Sequence, residues 1–206
     1  MMSIIIGSRR CQEVEAMRIG REKVRENRER VVTAASELFR THGFEGVAVP
    51  ELMKAAGLTH GGFYNHFASK EALAREALES AWAAMAQERG RARDLPQLLR
   101  GYLSEAARNA PGKACPAAAL AGDVRRQSPS VRATFAEGLD SMIDSIEAAL
   151  GDDGRRAQAV GLVARMVGAV MLSRAVPDDH PLATELLEAN LKAALEELPD
   201  GPVGRN

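Results

Sequence analysis

Residues 43–73 of this chain read GFEGVAVPELMKAAGLTHGGFYNHFASKEAL, and most of the fold can be inferred from them. Pro50 is acceptable only in the first turn of a helix and Gly57 is a typical helix end, which predicts a short helix over about Val49–Ala56. Thr59 can cap a further short helix directly after the turn. Two short helices joined by a tight turn form a helix-turn-helix.

A longer helix is predicted on each side of this segment. Upstream, apolar residues recur from Val24 onward with spacings of three, four and seven, which places one apolar face on a helix that ends at Gly43. Downstream, Ser69 caps a fourth helix that carries Glu71 in its first turn and runs to about Gln87. The expected core of this unit is Phe39, Phe44, Leu52, Leu58, Phe63, Phe67 and Leu73.

Composition favours helices throughout the chain. Hydrophobic residues make up 46% of the 206 residues and aromatic residues only 4%, whereas sheets use aromatic and β-branched residues. The formal net charge is −1. This balance excludes a protein that holds nucleic acid by bulk positive charge alone.

No targeting or membrane segment is recognisable. The apolar run at Ile4–Gly7 is too short for a signal-peptide core, and no stretch approaches the roughly 18 apolar residues of a membrane span. Cys11 and Cys115 are far apart, which fits a reducing cytoplasm better than a disulfide framework. We therefore expect a soluble cytoplasmic protein without membrane contacts. Residues 1–20 are expected to be an N-terminal arm that is disordered or an artefact of start-codon choice.

The third predicted helix carries hydrogen-bonding groups on its exposed side. Two adjacent glycines, Gly61 and Gly62, leave no side chain to hold the backbone away from DNA. In a helix each glycine costs about 1 kcal/mol relative to alanine, a cost that a purely structural helix has little reason to carry. The helix is therefore predicted to enter a major groove about 12 Å wide. Polar or charged side chains on or next to it are Thr59, His60, Tyr64, Asn65, His66 and Lys70.

The stretch from Gly43 to Leu73 resembles the DNA-binding domain of the TetR/AcrR repressors. The family pattern is a Gly-Phe helix end, a short helix, Ala-Gly-Val-Ser or similar, then Gly, Tyr, His-Phe, two residues and Lys. The matching positions in this chain are Gly43, Phe44, Ala56, Gly57, Leu58, Thr59, Gly61, Tyr64, His66, Phe67 and Lys70.

The resemblance implies a role for each of these positions. Thr59 caps the recognition helix. Phosphate contacts are implied for Tyr64, His66 and Lys70. The face turned to the base edges is implied for His60, Gly61 and Gly62. Two positions depart from the pattern, because Ala48 replaces a capping threonine that touches phosphate and Met53 replaces a small residue.

The resemblance also implies the overall organisation. We predict an all-α fold of about nine helices, in which a long helix joins an N-terminal three-helix helix-turn-helix domain to a C-terminal domain for ligand binding and dimerisation. The DNA-binding domain is placed at residues 21–87, with its motif at about 48–67, the regulatory domain at 91–200 and a tail at 201–206. Pro, Gly and Asp signals delimit C-terminal helices at Leu95–Asn109, Pro116–Gln127, Ser130–Leu150, Asp153–Val176 and His180–Leu198.

The predicted helix over Asp153–Val176 is apolar nearly all round, and such a helix is normally buried on all sides. In the family, the last two helices of each subunit form an intersubunit four-helix bundle. The alternative is an interior helix of a monomer. The resemblance implies an interface containing Gly161, Ala164, Gly168, Met171, Leu187, Leu191 and Leu195.

A small-molecule pocket among the fifth to eighth helices is a further implication of the resemblance. Its candidate lining residues are equally compatible with ordinary core. Cys115 precedes a helix whose dipole would favour a thiolate, so a redox or electrophile sensor is one hypothesis and a small buried residue the other. The candidates are Tyr102, Cys115, Phe135, Met142 and Met166.

These features predict a ligand-responsive transcriptional regulator. The preferred interpretation is a repressor that binds a palindromic double-stranded operator as a homodimer and is released by a small-molecule inducer. The sequence lacks the common hydrolase, phosphate-loop, dinucleotide and metalloprotease motifs, so we predict no enzyme and no cofactor. His60 and His66 lie six residues apart with no third ligand nearby, which argues against a metal site. The alternatives are a helical adaptor that has lost DNA binding and an enzyme with an unrecognised site.

Overall fold

The computed structural model describes residues 4–151 and 154–198. Within these ranges the regular secondary structure is entirely helical, with nine α-helices and two short 3₁₀ helices, which confirms the all-α prediction. The N-terminal half contains α1 (Ile4–His42), α2 (Val49–Ala55), the 3₁₀ helix η1 (His60–Asn65) and α3 (Lys70–Arg91). The C-terminal half contains α4 (Leu95–Tyr102), α5 (Glu105–Asn109), the 3₁₀ helix η2 (Pro111–Lys113), α6 (Pro116–Val124), α7 (Pro129–Ala149), α8 (Arg156–Ala175) and α9 (Leu182–Glu196).

The observed helix boundaries differ from the expected ones at a few places. The helix expected over Leu95–Asn109 is two helices, because Ser104 accepts a hydrogen bond from the Ala107 amide and thereby caps a separate α5. The arm expected at residues 1–20 is continuous with α1 from Ile4 onward. The tail at 201–206 and the predicted helix start at Asp153 lie outside the described residues.

Aromatic side chains form the core of the N-terminal half. The rings of Phe39 and Phe44 lie 5.3 Å apart, and those of Phe63 and Phe67 lie 5.7 Å apart. All seven expected core residues are buried except Leu58, which is half-buried against the same cluster. Complete burial of one such side chain contributes about 1.5–3 kcal/mol. This buried cluster therefore stabilises the helix-turn-helix on its inner side.

Helix α3 joins the two halves of the molecule. Ser69 caps it by accepting a hydrogen bond from the Ala72 amide at 3.0 Å, as the sequence predicts. The helix has 22 residues, so it extends about 33 Å, and it packs against both α1 and α7. A Cβ atom at Gly138 of α7 would lie 2.3 Å from the ring of Trp82. Glycine at that position is what allows α3 and α7 to approach so closely.

Polar contacts also connect the two halves. The Glu71 carboxylate accepts hydrogen bonds from Ser128 Oγ at 2.6 Å and from Ser130 Oγ at 2.7 Å. Near the end of α1, Arg40 Nη1 donates a hydrogen bond to the Ala114 carbonyl at 2.9 Å. The helices on both sides of the helix-turn-helix are therefore bonded to the C-terminal half.

None of the helices in the described part of the chain is long and apolar enough to cross a bilayer. The same residues contain no group of three or more His, Cys, Asp or Glu side chains arranged to hold a metal ion.

Candidate DNA-binding surface and ligand cavity

The turn between α2 and η1 depends on one glycine. Gly57 has a φ of +68°, a left-handed conformation that residues with a Cβ adopt only at a cost. The turn closes with hydrogen bonds from the Gly57 amide to the Lys54 carbonyl and from the Leu58 amide to the Met53 carbonyl, both 2.9 Å. This geometry sets the angle at which η1 leaves α2.

The two departures from the family pattern have different consequences. Ala48 offers no side-chain oxygen, and the start of α2 is instead capped by the Glu51 carboxylate, which accepts from the Ala48 amide at 2.8 Å. Met53 is buried, and its Cε lies 3.7 Å from the position of a Cβ at Gly62. The larger side chain therefore supports the underside of η1, whereas the phosphate contact expected from a threonine has no equivalent at residue 48.

The recognition element is shorter and tighter than the sequence suggested. We expected a short helix capped by Thr59 at the end of the motif at about 48–67, but the structure has a 3₁₀ helix over His60–Asn65. The glycine pair at 61–62 gives little support for α-helix, which explains the short element. Thr59 occupies the N-cap position, as expected, but its side chain makes no capping hydrogen bond. Its carbonyl accepts from the Gly62 amide instead, at 3.1 Å.

The inner and outer faces of η1 are sharply different. Phe63 is completely buried, while the adjacent Tyr64 is 74% exposed and meets the Phe63 ring edge-on at 5.2 Å. A Cβ at Gly61 would meet no atom of the protein within 4 Å. The predicted DNA-binding residues that are exposed are Thr59, His60, Gly61, Tyr64 and Asn65, and those that are half-buried are Gly62, His66 and Lys70.

Sequence reasoning did not find a partly buried ion pair behind η1. Arg28 of α1 forms a doubly hydrogen-bonded pair with Glu76 of α3, and its guanidinium lies 4.7 Å above the Phe67 ring. The hydrogen bond with Glu76 raises the pKa of Arg28. The two side chains are 48 residues apart in the chain, so no local pattern indicates the pair. It attaches the recognition element to both flanking helices.

A cavity of about 450 Å³ lies between the end of α3 and the helices α4, α5, α6, α7 and α8. Three of the five predicted pocket residues line it, namely Tyr102, Cys115 and Met142. The other two lie elsewhere, because Phe135 packs against the Trp82 ring at 5.8 Å and Met166 is completely buried in the core.

Two ionisable side chains of the cavity have perturbed pKa values. Burial raises the pKa of Tyr102 well above its ordinary range, and the neighbouring Cys115 thiol raises it further. Burial also lowers the pKa of Arg89. Cys115 is a buried free thiol whose Sγ lies 3.8 Å from Met142 Sδ. Its role as a redox or electrophile sensor stays a prediction.

Helix α8 presents an apolar face that no other part of the described chain covers. Of the predicted interface residues, Gly161, Ala164 and Met171 are exposed and Gly168 is half-buried. Val160 and Leu172 extend this face, with exposed fractions of 45% and 57%. We name these six residues the α8 face. In contrast, Leu187 of α9 is buried within its own protomer, because α9 packs against α8 with that side, and Leu191 and Leu195 are half-buried.

Comparison with protein families gives one matching domain. Residues 31–77 match the family model of bacterial regulatory proteins, tetR family. The HTH-type transcriptional repressor AcnR of Corynebacterium glutamicum is 33% identical over 88 residues, which cover 41% of this chain and 44% of that protein. The chain spans less than half the length of the first curated relatives that it matches.

Solved structures resemble a larger part of the chain. A TetR transcriptional regulator from Chloroflexus aurantiacus has a TM-score of 0.71 and 26% sequence identity, covering 85% of this chain and 95% of that one. The reduced form of Escherichia coli NemR has a TM-score of 0.69 and 23% identity, covering 85% and 99%. The similarity in fold thus extends well beyond the domain that matches in sequence.

Proposed function

We propose that this chain, whose residues 31–77 match the tetR family model of bacterial regulatory proteins, is a ligand-responsive transcriptional repressor that binds a palindromic operator as a homodimer. One observation supports this proposal above all others. The η1 helix is fixed from behind by buried aromatic rings, while its outer face is exposed and polar. A rigid element with free hydrogen-bonding groups suits the reading of a DNA groove.

The glycines of η1 support a close approach to DNA. No atom of the protein would obstruct a side chain at Gly61, so internal packing does not require glycine there. A backbone that lies against base edges does require it. In this proposal His60, Gly61 and Gly62 face the base edges, with Thr59 and Asn65 as further hydrogen-bonding groups. The phosphate contacts come from Tyr64, His66 and Lys70.

Dimerisation through the α8 face would place two recognition elements on one duplex. The glycines at 161 and 168 have open space around them, so a second copy of α8 can approach closely. Two elements related by a twofold axis read half-sites about one helical turn apart, roughly 34–36 Å. The exposed apolar area of Val160, Met171 and Leu172 would be buried in that contact.

The contacts between the two halves provide a route from the cavity to DNA. Helix α3 carries Arg89 at the cavity and Lys70 at its start, beside η1. Ala114 lines the cavity and is bonded to Arg40 of α1. A ligand that shifts these elements would change the separation of the two recognition elements. A coupling of about 1–3 kcal/mol changes affinity roughly 5- to 150-fold, which is enough to release an operator.

The DNA-binding proposal is tested by fluorescence anisotropy on labelled duplexes that tile the region upstream of the protein's own coding sequence. We expect salt-sensitive binding to one palindromic duplex. The Lys70→Gln variant should weaken binding to all sequences and lower the salt slope by about one per subunit, since one phosphate contact is lost. Lys192→Gln, which changes an exposed lysine of α9, is the matched control and should bind as the unmodified protein does.

Two results would contradict the proposal. If none of the duplexes binds in a salt-sensitive manner, the repressor interpretation fails and the adaptor alternative is favoured. If Lys192→Gln weakens binding as much as Lys70→Gln, the DNA surface lies elsewhere on the protein.

A further inference from the structure

The cavity walls are mostly apolar and also carry a few charged and polar side chains. Met85, Leu98, Met142 and Val170 contribute apolar surface from four different helices, and several alanines complete the wall. Its volume of about 450 Å³ lies within the range of about 300–1,000 Å³ that is usual for small-molecule sites.

Two side chains that line this cavity have buried polar atoms without hydrogen-bond partners. These atoms are the Tyr102 hydroxyl oxygen and the Nε and Nη1 atoms of Arg89. The two side chains are close enough that the positive charge of Arg89 lowers the pKa of Tyr102 against the larger effect of burial. An unsatisfied buried polar group costs about 1–3 kcal/mol, and more if it is charged. For the two Arg89 nitrogens nothing in the described part of the chain offsets this cost, whereas the Tyr102 hydroxyl lies beside the Cys115 thiol, a weak acceptor.

Two arginines of the C-terminal half show that the fold can satisfy such groups, whereas Arg165 pairs with Glu197 through Nη2 and leaves a buried Nη1 without a partner. Arg108 donates to the Ser173 carbonyl and hydroxyl and pairs with Asp178. Arg174 donates to the carbonyls of Ala107 and Arg108. Both arginines are therefore bonded within the protein. Arg89 differs from them because it lines the cavity and its buried Nε and Nη1 have no acceptor within the protein.

The charges around the cavity leave an excess of positive charge. Glu88 is the one carboxylate among the described residues that line it, and Glu88 forms an ion pair with Arg91. Lys113 also lines the cavity. Arginine remains protonated in proteins and only donates hydrogen bonds. The partner that Arg89 lacks is therefore a hydrogen-bond acceptor, and the excess of positive charge favours an anionic one.

We propose that the ligand of this cavity is a small, mostly apolar molecule with a single carboxylate, which accepts hydrogen bonds from the Arg89 guanidinium and the Tyr102 hydroxyl. Its apolar part lies along Met85, Leu98 and Val170. This inference rests on the proposed function, in which the cavity is the effector site, and it names the chemical class of the effector. Hydrogen bonds between a guanidinium and a carboxylate are stronger than hydrogen bonds between neutral groups.

Isothermal titration calorimetry on the full chain tests the carboxylate requirement. The probes are octanoate and 4-phenylbutanoate, each paired with its neutral amide, octanamide and 4-phenylbutanamide. We expect at least one carboxylate to bind at least tenfold more tightly than its amide. Arg89→Gln should weaken carboxylate binding by about tenfold to a hundredfold and Tyr102→Phe by a smaller factor. Arg100→Gln, an exposed arginine of α4 outside the cavity, is the matched control and should bind normally.

A second measurement does not depend on the choice of probe. Because Arg89 is unsatisfied without a ligand, the Arg89→Met variant should raise the melting temperature of the unliganded protein by a few degrees. A lower melting temperature in this variant would overturn the inference, as would equal binding of amide and carboxylate. Failure of both carboxylates to bind would also overturn it.

The same samples separate this inference from the proposed function. Operator binding with no carboxylate binding would overturn the inference and leave the repressor proposal intact. Carboxylate binding that depends on Arg89 supports the inference. If that binding leaves operator affinity unchanged, it contradicts only the proposed ligand-responsive regulation.

Discussion

The helix-turn-helix and the ligand cavity differ in how far apart in the chain their parts lie. The turn, the recognition element and the next helix start all lie within residues 43–73, and their roles follow from glycine, capping and aromatic positions that are close in sequence. The cavity is formed by six α-helices and the 3₁₀ helix η2, with lining residues from Met85 to Val170. Structure that depends on neighbouring residues can be inferred from sequence, whereas structure that depends on the packing of distant helices cannot.

The largest expected effect concerns the two faces of η1. Phe63→Ala removes a completely buried ring and should lower the free energy of unfolding by about 3–5 kcal/mol. Its exposed neighbour provides the matched control, since Tyr64→Ala should change stability by less than about 0.5 kcal/mol while weakening DNA binding. Urea denaturation followed by circular dichroism measures the first effect and anisotropy the second. Equal stability losses in the two variants would show that η1 has no distinct inner and outer face.

A medium effect is expected where the two halves pack together. Gly138→Ala would push a methyl group into the Trp82 ring and should destabilise the protein by about 1–3 kcal/mol. Gly122→Ala is the control, because a Cβ there meets no atom within 4 Å, and it should stabilise α6 by up to about 1 kcal/mol.

The only tryptophan of the chain lies at this contact, so its fluorescence should shift in Gly138→Ala and not in Gly122→Ala. An unchanged emission spectrum together with unchanged stability in Gly138→Ala would mean that α3 and α7 are not as closely packed as described.

The smallest expected effect is the pH dependence of the polar contact between the halves. Hydrogen bonds from Ser128 and Ser130 lower the pKa of Glu71. A carboxyl group whose pKa is lower in the folded state stabilises the fold above its unfolded pKa, and this contribution is lost as the pH falls through the folded pKa. The loss should therefore begin near the ordinary pKa of glutamate, about 4.3, and continue below it.

Urea unfolding of Glu71→Gln at pH 7 and at pH 3 measures this contribution. The variant should be slightly less stable than the unmodified protein at pH 7 and equal to it at the lower pH. Glu79→Gln changes an exposed carboxylate of the same helix and should show no such difference. If Glu71→Gln lowers the free energy of unfolding by the same amount at both pH values, the effect comes from packing and not from the charge of Glu71.

Particular residues show where sequence reasoning succeeds and where it fails. The Ser69 cap, the Gly57 turn and the aromatic core follow from spacing alone, and the structure confirms them. The capping hydrogen bond expected from the Thr59 side chain is absent, and the recognition element is shorter than expected. Its length is hard to predict because the choice between α and 3₁₀ geometry over six residues depends on small local energies. Leu187 is the kind of apolar residue that interfaces contain, but only the structure shows that its side chain is buried within its own protomer.

The sequence by itself determined the helical class, the helix-turn-helix and the chemistry of its exposed face, because helix periodicity, caps and glycine turns act over a few residues. Only the tertiary structure decided which residues meet in the cavity, that Phe135 and Met166 lie outside it, and that Arg89 and Tyr102 face it without partners. The physical reason is that burial and hydrogen-bond satisfaction are properties of the packed helices, and a residue's own neighbours in the chain do not specify them.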